Sequence, residues 1–131
     1  MSLNYDADTT GMSVIPSQFD LIRNLLDATA ARQRVTSQNI ANVNTPGYKA
    51  REVNFEDQLA RALARPGDSN GILDLAPEVR FQDGLVERLD GNNVDIDREL
   101  GRSQKNTLLH NTYVRILSTK ISTLRSAISG R

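Results

Sequence analysis

A chain of 131 residues has room for one domain and little more. Only 38% of it is hydrophobic and 5% aromatic, with no Trp, so the supply of large side chains for a self-contained core is thin and neighbouring copies or partners are expected to add stability. Its 16 basic and 16 acidic residues cancel, which argues against nucleic acid as a partner, and the absence of Cys excludes disulfides, thiolate metal sites and cysteine nucleophiles.

Residues 1–13 carry neither a basic stretch nor an apolar run, so no secretory signal peptide is read there; they are expected to form a flexible N-terminal segment. No run approaches the roughly 18 apolar residues of a membrane span, and direct membrane insertion is not expected.

A long helix is predicted from Pro16 or Ser17 to Asn44, where Ser17 and Asp20 resemble a capping box. Its apolar line has a 4,3 spacing: Ile15, Phe19, Ile22, Leu26, Thr29, Gln33, Thr36, Ile40, Val43, widened by Leu21, Leu25 and Val35. Asn44-Thr45-Pro46-Gly47 stops it, because Pro cannot continue the ladder and Pro-Gly favours a tight turn. Next, Phe55, Leu59, Ala62 and Leu63 predict a short amphipathic helix, and 65–71 reads as a loop. Val79 to Leu89 reads as a small hairpin about Asp83-Gly84, and Asp90-Gly91-Asn92-Asn93 as another turn. An isolated hairpin is marginal in water, so it is expected to dock on the helices or on a neighbour.

A second long helix is predicted from Val94 or Asp95 to about Ser129, closed by Gly130. Its line is Ile96, Leu100, Ser103, Thr107, His110, Val114, Leu117, Ile121, Leu124, Ile128. Both lines are apolar at their ends and polar in the middle. Laid antiparallel so that the polar middles meet, Leu26 faces Leu117, Ile22 faces Ile121, and Val43 lies near Ile96 or Leu100. The seam is thus expected to include Ile22, Leu26, Ile40, Val43, Ile96, Leu100, Val114, Leu117 and Ile121; the alternative is that each stripe packs on other chains. The expected fold is mainly α. Two long antiparallel helices (14–44 and 94–131) form a coiled-coil-like pair, and a small turn-rich middle region (45–93) holds a short helix and a candidate β-hairpin.

Nothing in the sequence supports catalysis. His110 is the single histidine and lies on a helical stripe, without companions at metal-ligand spacing. Asp95, Asp97 and Glu99 lack the Gly and terminal Glu of a calcium loop and suit a helix N-terminus. There is no phosphate-binding Gly-rich loop and no nucleophile–histidine arrangement. No enzyme, cofactor or metal is expected.

Ser37 to Lys49 (SQNIANVNTPGYK) is more specific than a helix stop requires. Asn39 and Asn42 offer amides to loop backbone or to a neighbouring chain, and Ala41 permits close approach. The string NIANVNTPGYKAREVNF, Asn39 to Phe55, resembles the signature of flagellar axial proteins, the rod, hook and hook-associated subunits. Thr45-Pro46-Gly47-Tyr48-Lys49-Ala50-Arg51 is most similar to the short proximal rod subunits. Gly91 to Glu99 (GNNVDIDRE) and the ending from Leu117 to Arg131 are similar to them as well. The likeness covers both helices and their turns. Val43, where the family often has Ala, and the stretch from Pro66 to Val86 depart from it.

The resemblance implies a structural subunit of the proximal rod, exported through the flagellar type III apparatus without a cleaved signal peptide. In the periplasmic part of the basal body it would self-assemble into a helical tube that transmits torque and houses the export channel. The implied partners are other copies of itself, other rod subunits, and membrane-ring and export-gate components at the rod base. Asn39, Ala41, Asn42, Thr45, Pro46, Gly47, Tyr48, Lys49 and Arg51 are the implied motif and assembly residues. A helical adaptor or export chaperone of the same secretion system is the alternative.

Overall fold

The structure is a computed structural model that describes residues 14–65 and 75–130, with side chains of the first helix described from Gln18 onward. Five elements follow in order: α1 (Val14–Ala41), β1 (Arg51–Asn54), α2 (Glu56–Leu63), β2 (Glu78–Phe81) and α3 (Ile96–Ser129). The expected flexible segment 1–13 and nearly all of the loop 65–71 lie outside the described residues.

Helix α1 starts three residues before Ser17, so Ser17 is not its cap. Pro16 falls in the first turn, where its missing N–H has no carbonyl to bond. The helix ends at Ala41 rather than Asn44, and Asn42 N–H closes it onto the carbonyls of Gln38 and Asn39. Helix α3 is capped at both ends by the residues the sequence marks. The Asp95 side chain accepts from the N–H groups of Asp97 and Arg98, and Gly130, at φ 66°, takes the left-handed position after the last turn.

The two long helices pack antiparallel within one chain. Thr29 Oγ1 is 2.9 Å from His110 Nδ1, Gln33 Nε2 donates to Ser103 Oγ at 3.2 Å, and Lys120 Nζ donates to Gln18 Oε1 at 2.6 Å. The polar middles meet, but the register slides about one turn from the expected one. Asn106 Nδ2, absent from the expected line, donates to Thr29 O at 2.8 Å and to Gln33 Oε1.

These bonds rotate α3. Glu99 and Asn106 are buried against α1, while Ile96, Leu100, Val114 and Ile121, placed on the seam by spacing alone, are exposed. A seam read from apolar spacing could not anticipate this, because a buried amide or carboxylate must face its hydrogen-bond partner whatever its neighbours do. On α1, Ile22 is buried, and Leu26, Ile40 and Val43 are half-buried, as is Leu117 on α3.

A second face of α1 receives the middle region. Ala28, Ala31 and Val35 form a small core with Val53 and Phe55, flanked by Leu25, Leu59 and Leu75. The alternation of β1 sends Val53 and Phe55 the same way, onto α1, and the two alanines let the strand come close. The strand expected from Val79 is present as β2, but its partner is β1 and not Leu85–Leu89. Arg51 pairs with Phe81 and Val53 with Val79, antiparallel. Asp83-Gly84 turns the chain as expected, with Gly84 at φ 71°, yet 85–88 forms no strand. A local hairpin there would have no buried face, whereas β1 is anchored on the helix and gives β2 a fixed edge to pair with.

Cysteines at Gln33 and Ser103, treated with a short bifunctional maleimide, should link within one chain and leave its mass monomeric. Links formed only between chains would refute the observed register.

Candidate functional site

The chain leaves α1 through a tight turn at 42–47, runs into β1, and returns past Asp90–Asn93 into α3. The two stretches that stood out separately in the sequence, Asn39–Arg51 and Gly91–Glu99, are thereby brought against one another.

Asn39 is fully buried and uses both ends of its amide. Its Nδ2 donates to Arg51 O at 2.7 Å and to Glu99 Oε2 at 2.9 Å. Its Oδ1 accepts from Arg51 N–H at 3.0 Å and from the Tyr48 hydroxyl at 3.2 Å. Four bonds are all that a primary amide makes comfortably. Glu99, only 2% exposed, completes the arrangement: its other oxygen accepts from Gln82 Nε2 at 2.9 Å, and Arg102 stands 3.7 Å away. Gln82 Nε2 also donates to Arg51 O, and Gln82 N–H donates to Ala50 O. One carboxylate thus ties α1, the end of β2 and α3 together around Arg51.

A second lock lies beside it. Asn92, also fully buried, donates from Nδ2 to the carbonyls of Asn42 and Thr45, at 2.9 and 2.8 Å, and accepts Val94 N–H on Oδ1. It therefore gives a second donor to two carbonyls of the turn after α1, each of which already accepts a backbone N–H. Asn93 Oδ1 accepts Ala50 N–H at 2.7 Å, Lys49 Nζ donates to Gly91 O at 2.7 Å, and Gly47 N–H donates to Asp90 O at 2.8 Å. The Arg88 guanidinium reaches Val43 O. The Asp90 carboxyl is held below its ordinary value, chiefly by the Asn92 N–H and then by nearby Arg88.

Gly47 and Gly91 sit at φ 72° and 81°, and a Cβ on Gly91 would meet Gly47 Cα at 3.4 Å. Two left-handed glycines therefore lie back to back where the loops cross, a conformation that costs other residues about 1–2 kcal/mol each.

The motif residues divide by direction. Asn39 is buried, and Tyr48 and Lys49 are half-buried in the lock; Arg51 contributes its backbone while its guanidinium lies 5.6 Å from the Phe81 ring centre. Asn42, half-buried, bonds locally at the helix end, donating to Gln38 O at 2.7 Å. Ala41, Thr45, Pro46 and Gly47 face outward. Glu99, expected only as a helix-dipole acid, is the buried centre, and Asn92 and Asn93, expected only as turn residues, are structural amides. The resemblance of Gly91–Glu99 pointed to these three; nothing in the sequence pointed to Gln82. Among the described residues, no group of three or more potential ligands is arranged to hold a metal, and no helix is long and apolar enough to cross a membrane.

The site is thus a structural one: a helix pair whose adjoining loops are stitched by buried amides, with an apolar line exposed along one helix. Residues 26–49 match the model of the flagella basal body rod protein family. The chain is 34% identical over 122 residues to a protein of Borrelia hermsii, covering 80% of this chain and 90% of that protein. It is 30% identical over 119 residues to one of Escherichia coli K12, covering 79% and 86%, and 35% identical over 107 residues to one of Cereibacter sphaeroides, covering 76% and 84%. The chain belongs to the family of flagellar basal body rod proteins, structural components of the bacterial flagellum rather than enzymes. Within that family, these three relatives are all named flagellar basal body rod protein FlgB.

Asn39→Asp should destabilise the chain by about 3 kcal/mol or more in urea unfolding, because a second carboxylate would replace the donor that Glu99 and Arg51 O both need. Unchanged stability would show that the lock is not made in solution. Gly47→Val should cost at least about 1–2 kcal/mol in the same measurement, since the space for a Cβ is open and the penalty is purely conformational.

Proposed function

We propose that this chain is a subunit of the proximal rod, joining other copies of itself and other rod subunits in a helical tube. The observation that carries the reading is the line Leu100, Val114, Ile121 and Ile128 along α3, seven or fourteen residues apart and all exposed, Ile128 at 88%. These side chains flank the intrachain seam and stay open to solvent among the described residues, so burying the remaining surface of each on assembly is worth roughly 1–2 kcal/mol. A stripe on one helix packing on a different face of the next copy is a heterologous contact, and repeated without closure it gives a helical tube.

The motif supports the same reading. Its inward residues fix the turn, and Ala41, Thr45, Pro46 and Gly47 present a small, exposed tip to a neighbour. In such a tube the long helices supply axial stiffness, the locked loops pass torque between subunits, and the lumen serves as the export channel. Contacts with membrane-ring and export-gate components belong to the rod base. Passage through the flagellar export apparatus suits a chain with a slender core that gains stability from its neighbours.

Tagged chain should be detected in detergent-purified hook–basal bodies after the filament is stripped, and Ile121→Glu should remove it from them without unfolding the monomer. Its absence from basal bodies, with soluble chain in the cytoplasm, would favour the adaptor or chaperone.

A further inference from the structure

A concavity of about 320 Å³ lies beside the lock as a groove between α1, β1 and α3. Val35, Val53 and Leu109 give it apolar walls. Four cations and two carboxylates line it: Arg32 pairs with Glu56, and Arg102 reaches Glu52 and Glu99. Arg51 and Lys105 have no carboxylate within ion-pair distance among the described residues, so the groove keeps a positive excess. Asn106 in its wall carries a buried Oδ1 that receives no hydrogen bond. A segment that suits it carries carboxylates, backbone or side-chain donors, some apolar surface and no cation.

The chain contains such a segment. Residues 1–13 (MSLNYDADTTGMS) hold Asp6 and Asp8, with Leu3 and Tyr5, and no Lys or Arg. The exposed acidic turn at Asp95–Asp97 is a poorer candidate, because Asp95 caps its own helix and Arg98 follows directly.

Reach decides which copy supplies the segment. Asp8 precedes Val14 by six residues, a span of at most about 20 Å, whereas Arg32 lies about 27 Å along α1 from Val14. Asp8 would reach the groove of its own chain only with the segment stretched fully back along α1, an extension that favours a second copy as the source.

We propose that, in the assembled tube, residues 1–13 of one copy lie in the α1–β1–α3 groove of a second copy, with Asp6 and Asp8 against Lys105 and Arg51. This rests on the self-assembly reading above and names one of its contacts. The two copies are then offset along the tube axis, and the positive excess of each groove is neutralised only when the next copy is in place.

The test uses the full chain in a motile background. Asp8→Lys and Lys105→Glu should each lower incorporation into purified basal bodies by about tenfold, and the double exchange should restore most of it, as expected of a directly coupled charge pair. Asp8→Cys with Lys105→Cys should give, on oxidation of the isolated rods, a ladder of linked copies. A double exchange no better than the single ones overturns the contact, as does a disulfide confined to monomers. Unmodified chain present in rods whose cysteine variant incorporates without forming a ladder also overturns it, while leaving the rod reading intact. Absence of the unmodified chain from rods overturns that reading itself.

Discussion

The buried carboxylate of Glu99 is the constraint on which the other features depend. A charge withdrawn from water costs several kcal/mol unless each of its oxygens is matched by a donor. Here one donor is the Asn39 amide on α1 and the other is the Gln82 amide just after β2, with Arg102 at the edge. Three elements must therefore be in place at once before the carboxylate is satisfied. Asn39 then has an acceptor left for Arg51 N–H and a donor left for Arg51 O, which sets the first residue of β1. From that point alternation alone carries Val53 and Phe55 onto the alanine face of α1. The placement of the sheet, its pairing with β2 and the rotation of α3 follow from one polar contact.

That arrangement accounts for the division of apolar residues between interior and surface. Among the described residues the main core cluster holds two alanines, two valines and one Phe, too little to stabilise helices of 28 and 34 residues generously. Much of the seam between the helices is polar, through Thr29, Gln33, Ser103, Asn106 and His110. Polar seams fix register and orientation better than they add stability. Turning Glu99 and Asn106 inward leaves Leu100, Val114 and Ile121 outside, so the geometry that fixes the helix pair also exposes the stripe on which the proposed assembly rests.

Much of this was legible in the sequence, and the reasons it stopped are specific. The two long helices, the acidic start of α3, the Gly130 stop and the meeting of polar middles follow from local chemistry and a 4,3 spacing. The register and rotation of α3 do not, because Asn106 and Glu99 carry no apolar signal and their partners lie far away in sequence. The strand Glu78–Phe81 was partly visible in Val79 and Phe81, but β1 was not: in Arg-Glu-Val-Asn a single apolar residue gives no period to read. The motif at Asn39–Arg51 was visible as a string, and its physical meaning was not, since half of its partners sit in Gly91–Glu99 and one in Gln82.

With those partners in view, the string resolves into an inward and an outward set of residues on one short turn. Asn39, Tyr48, Lys49 and the Arg51 backbone face inward, while Asn92 and Asp90 hold the turn from beneath through its carbonyls and the Gly47 N–H. The exposed tip, Ala41, Thr45, Pro46 and Gly47, is small, and the Thr45 carbonyl and the Gly47 N–H within it are bonded from beneath. Association is opposed chiefly by lost conformational freedom and by desolvation of unmatched polar groups, and the bonds that hold this turn reduce the first of these costs. A surface prepared in that way favours a precise contact over a strong one. Such a contact suits a subunit whose strength comes from repetition.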